Sequence, residues 1–175
     1  MSIISFLTTT QIAALTTTTI ASWTTTELRQ LSSTQTGALD TTQVSVLSTT
    51  QMSGLATTQL SGLSVTTVAA LSTTQLNAIS VANFAGLSTT QFVALTTTQV
   101  AGLSTTAVRG LNSTFIAGLT VTQVGALTTT QLVSLTTAQI QAIETTDLAQ
   151  LSTTQVASLT TAQIGALTST QFGAM

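Results

Sequence analysis

The feature that most constrains this chain is its period. From Leu7 to Ala174 the sequence divides into 21 blocks of eight residues without one insertion or deletion. The array begins LTTTQIAA (7–14) and ends LTSTQFGA (167–174). Residues 1–6 form a partial repeat in the same phase, with Ile4 at the sixth place, and Met175 opens a further repeat. Such a regular period predicts one solenoid over 7–174, in which each repeat is stabilised by its neighbours. A single octad cannot stand alone. Burying its two large apolar residues contributes at most about 3–6 kcal/mol, whereas ordering eight residues costs on the order of 12 kcal/mol.

Each octad position follows a rule. Position 1 is Leu in 18 octads, with Trp23, Ile79 and Ile143 in the others. Position 2 is Ser, Thr, Asp or Asn in 19, and position 5 is Gln in 14. Position 6 is large and apolar in 20, with Thr36 the exception. Position 8 is Ala, Gly or Ser in 18. Ser or Thr followed three residues later by Gln is the capping-box pattern of a helix start. With position 2 as N-cap, positions 1 and 6 fall where the hydrophobic staple belongs. Cap, box and staple thus agree on one register, and Ser88–Gln91, Thr96–Gln99 and Ser152–Gln155 are clear instances.

This register predicts an all-α solenoid with one short capped helix per octad. One long helix is excluded, because eight residues rotate the apolar stripe by about 80° per repeat. A β-solenoid is the alternative, since Thr and Val favour strands. Its difficulty is that positions 1 and 6 are an odd number apart and would point to opposite faces. The expected core is formed by positions 1 and 6, including Leu7, Trp23, Leu95, Val100, Leu103, Leu127, Leu151 and Val156. Small residues at position 8 suit a tight helix exit. With Thr or Ala at position 4, they would also let backbones approach. Position 7 should face outward. The number of octads per coil is not legible, because the aromatic residues at position 6 show no alternation.

Composition narrows the function. Only six residues are charged: Glu27, Asp40, Glu144, Asp147, Arg29 and Arg109. There is no His, Cys, Lys, Pro or Tyr. Zinc fingers, disulfide frameworks and Ser-His-Asp triads are excluded. Two Arg make no footprint for nucleic acid. No apolar run approaches the roughly 18 residues of a membrane span, and no signal peptide is visible at the N-terminus. No catalytic residue, cofactor, metal ligand or small-molecule ligand is expected.

The segments LTTTQIAAL (7–15) and LSTTQVASL (151–159) resemble the low-complexity Thr/Gln/Ala/Leu octapeptide repeats of large bacterial secreted or surface proteins of the adhesin type. The likeness covers residues 7–175 and rests on composition and period. It implies an extracellular or cell-surface location and a structural or adhesive role. LTTTQVAGL (95–103) also resembles the opening helix of TAL-effector repeats, a likeness that extends only to the capped helix.

A few residues depart from the pattern. Glu144 and Asp147 read as a charged capping pair near a helix start. Asn112 opens a glycosylation sequon but occupies an N-cap position. Phe115 at position 5 breaks the box and suggests an exposed ring, and Arg109 an outward charge; both are candidates for a lateral contact. No octad carries a polar face that would close the stack, and net charge is only −2. The expected partner is therefore a second copy, joined head to tail into a fibre. Alternatives are a spacer segment of a larger adhesin and an ice-binding solenoid displaying Thr ladders.

Overall fold

The computed structural model describes residues 3–175 of the chain. After a 3₁₀ turn at Ile3–Phe6 come 21 α-helices of four to six residues, one per octad, and no strand among the described residues. Each helix starts at position 3, behind an N-cap at position 2 in extended conformation. In 19 octads the cap side chain accepts the backbone N–H of position 5; Asn112 does so from Phe115 at 2.9 Å. The exceptions are Ala56, which has no side-chain oxygen, and Glu144, whose carboxylate makes no cap bond. Helices this short are unstable alone, because nucleation is not repaid within one turn.

The chain forms two compact units, Met1–Leu95 and Thr96–Met175. Within each unit a helix packs on the helix three octads further on. In the first, Ser33–Gly37 lies against Thr57–Gly62, and Thr49–Gly54 against Thr73–Ala78. In the second, Thr105–Gly110 lies against Thr129–Ser134, and Thr137–Ala142 against Thr161–Ala166. One coil of the solenoid is thus three octads, or 24 residues.

Positions 1 and 6 line the interior. Position 6 is sealed wherever a coil follows, as at Ile12, Leu60 and Leu132. Thr36, the polar exception, is equally buried and satisfies its hydroxyl on the Ser32 carbonyl at 2.9 Å. Trp23, Leu95, Val100, Leu103, Leu127 and Leu151 are buried. Leu7 and Val156 are only half-buried. Leu7 lies in the first coil and Val156 in the last, so each has a stacked coil on one side only.

The close approach expected at position 8 is found, but two other expectations need correction. Position 4 is exposed, as at Thr50, Thr98 and Thr154. Position 8 is small for a different reason from a left-handed helix exit: among the described residues no glycine has positive φ. It packs on position 3 of the coil before. A Cβ on Gly62 would collide with the Ser33 backbone, and one on Gly86 with that of Thr57. At position 7, by contrast, Gly125 and Gly165 face open space.

Candidate functional site

The site that organises this molecule is a buried ladder of glutamine side chains at position 5. The capping box accounts for half of it. In Gln51 the Oε1 accepts the backbone N–H of Ser48 at 2.8 Å, while the Gln51 N–H donates to the Ser48 hydroxyl at 3.2 Å. The other half was not foreseen from the sequence. Gln51 Nε2 donates to the carbonyls of Ile20 at 3.1 Å, Ala21 at 3.3 Å and Trp23 at 2.7 Å. Those carbonyls lie where the helix Thr17–Ser22 ends, one coil earlier, and that of Ile20 also accepts the Trp23 N–H at 3.2 Å. Helix ends expose such groups, so a single amide caps two helices.

The pattern recurs in both units with the same offsets. Gln43 reaches Ile12, Ala13 and Leu15, and Gln91 reaches Leu60, Ser61 and Leu63. In the second unit Gln131 reaches Val100, Ala101 and Leu103, and Gln163 reaches Leu132, Val133 and Leu135. An amide has two N–H donors. They are directed to the outer two carbonyls, and the middle one, as far as 3.4 Å for Gln91, completes a shared bond. Gln155 makes two of the three contacts, to Gly125 at 3.0 Å and Leu127 at 2.8 Å. All these glutamines are buried, and among the described residues no buried side-chain polar atom lacks a partner. An unmade bond at such a place is costly.

The ladder explains why position 5 is Gln and hardly ever Glu. A capping box accepts either, but only the amide can also donate to a carbonyl. The lone Glu, Glu27, lies in the first coil, where no earlier carbonyls face it. That 14-to-1 preference was the sequence signal for a second partner.

The remaining position 5 residues test the rule. Asn83, one methylene shorter, still donates from Nδ2 to the Leu55 carbonyl at 2.7 Å. Thr67 turns its hydroxyl to Ser64 instead. Phe115 is buried, 5 % exposed, because position 5 faces inward; it offers no ring for a lateral contact. Arg109 is exposed on the last turn of its helix. Asp147 is 3 % exposed. The expected Glu144–Asp147 capping pair is not formed, since Glu144 makes no cap bond and its octad lacks the box.

Ser88–Gln91, Thr96–Gln99 and Ser152–Gln155 each form both halves of the capping box. An open groove is lined by Thr129, Thr153, Thr154, Ala157 and Ser158, with no titratable group. Among the described residues no group of three or more acids could hold a metal ion, and no helix is long and apolar enough to cross a membrane.

The family model of the ALTTAQ repeat matches residues 68–105, 100–129 and 140–175, together more than half of the chain. The chain belongs to the ALTTAQ repeat family. The six letters correspond to octad positions 8, 1, 2, 3, 4 and 5. Ala94–Gln99 reads ALTTTQ and Ser158–Gln163 reads SLTTAQ. In structural terms, the ALTTAQ string runs from the small contact residue, through the core Leu and the N-cap, to the ladder Gln. No curated protein and no solved structure matches the chain.

Proposed function

We propose that this ALTTAQ repeat protein is a structural element that associates end to end with copies of itself into a fibre outside the cell or at its surface. The observation that carries this reading is that one kind of contact joins coil to coil in both units, with Gln51 reaching Ile20 and Trp23 and Gln131 reaching Val100 and Leu103. Position 6 side chains are sealed wherever another coil stacks on them, whereas Val156 and Ile164 are half-buried and Phe172 is 62 % exposed. The first coil presents the complementary face. Gln11 makes its capping box, with Oε1 accepting the Thr8 N–H at 2.8 Å, and its Nε2 has no acceptor among the described residues. A coil face of one kind meeting a face of the other would re-create the contacts found between successive coils. Contacts of this heterologous kind, when they do not close, propagate. The scarcity of charge leaves little repulsion to oppose them. The reading assigns the protein no catalytic role, and an adhesin-type context agrees with the resemblance of its octads.

The test is sedimentation and negative-stain microscopy over a concentration series. The expected result is a species of constant width that lengthens with concentration. Replacing Phe172 and Ile164 with Asp should leave single chains. A native chain that stays monomeric at every concentration contradicts the proposal.

A further inference from the structure

Asp147 stands where the ladder needs a donor. By the offsets of its neighbours, the carbonyls facing it are those of Ile116, Ala117 and Leu119, at the end of the helix Ser113–Ala117. No donor reaches the buried Leu119 carbonyl among the described residues. An ionised carboxylate cannot supply one, because it only accepts. A neutral carboxyl carries one O–H and has the length of an asparagine side chain. Asn83 shows that this length is sufficient, since it spans the equivalent gap to Leu55 at 2.7 Å.

We infer that Asp147 is a proton-operated latch between coils of the second unit. On taking a proton from water, its carboxyl donates to the Leu119 carbonyl and completes the ladder; on losing it, the stitch opens. The surroundings favour the neutral form. Asp147 lies under the packed helices Val121–Gly125 and Ser169–Ala174, and neither these nor Ser113–Ala117 carries a charged residue. The charge facing it is Glu144, on its own helix start. Burial raises the Asp147 pKa above its ordinary 3.8, Glu144 raises it further, and the Thr146 hydroxyl, 3.4 Å away, opposes the rise.

The sign of the linkage follows. The folded state holds this proton more tightly than the unfolded state, so stability falls as pH rises through the folded pKa. Below the unfolded value the contribution is constant. Association between copies would then be firmer in acid wherever it depends on the last coils.

The test uses the full chain at concentrations where it stays unassociated. Carboxyl NMR titration of the native protein should place Asp147 above 3.8. Its urea midpoint should rise as pH is lowered from about 7 to about 4. Asp147→Asn should abolish that rise and hold the midpoint near the native acid value throughout. Asp147→Gln, which restores the ladder residue, should be at least as stable at neutral pH. A titration at or below 3.8, or a pH slope that survives in Asp147→Asn, overturns the latch.

Discussion

Glu27 and Asp147 occupy the same octad position and behave in opposite ways. Glu27, in the first coil, is only partly covered and accepts from the Thr24 N–H and the Thr24 hydroxyl, both at 2.8 Å. Those bonds to the backbone and side chain of Thr24 lower its pKa below 4.5. Asp147, inside the second unit, is covered by neighbouring coils, and burial raises its pKa. The helix-start sequence is similar in both. What differs is whether a coil of carbonyls lies behind the acid. Position 5 is therefore governed by stacking as well as by capping.

The contrast can be broken by moving an acid between the two settings. Gln51→Glu should be the most damaging single change. It withdraws the donors from Ile20, Ala21 and Trp23 and turns a carboxylate toward them. A loss of about 3–5 kcal/mol in urea unfolding is expected at neutral pH, recovering partly in acid. Gln11→Glu, in the first coil, should leave the midpoint unchanged. Equal losses at the two sites would show that the ladder contributes nothing beyond the cap.

The apolar positions give a second, smaller contrast. Leu31→Ala empties a buried site and should cost about 2–5 kcal/mol. Leu7→Ala, at the same octad position one coil earlier, should cost clearly less, since Leu7 is only half-buried. Thermal unfolding of both variants would check the ranking.

The smallest effect is expected at Glu27. A pKa lowered by folding means stability that is present above the unfolded value and is lost as pH falls through the folded one. Glu27→Gln keeps the acceptor for Thr24 and should leave the neutral-pH midpoint unmoved while removing that acid loss. The change runs opposite to that expected of Asp147→Asn, so the two pH profiles distinguish the settings.

Much of this architecture was legible in the octad. Helix type and register followed from position 2, position 5 and the 1/6 staple, because each is a local interaction within one repeat. The inward face followed from the same register, down to Trp23 and Val100. The coil size did not, because the contacts that define it run between residues 28–31 apart and leave only a choice of side chain as their trace. The preference for Gln was such a trace, and reading it only as a capping residue hid the ladder. Phe115 was misplaced for the same reason: if position 5 only caps, it can be exposed, but if it stitches coils together it must be buried. Position 8 was read both as a tight helix exit and as a place of close backbone approach; only the second holds, because its constraint is the backbone of the coil before.

The most direct measurement is hydrogen exchange at the glutamine side-chain amides, followed by NMR with assignments from single substitutions. In the ladder described here, the Nε2 protons of Gln43, Gln51 and Gln139 exchange slowly, each pair held by carbonyls 28–31 residues earlier in the chain. Those of Gln11 exchange as in a free side chain. Uniformly fast exchange at all four would contradict the claim that glutamine, rather than capping and leucine packing alone, binds one coil to the next.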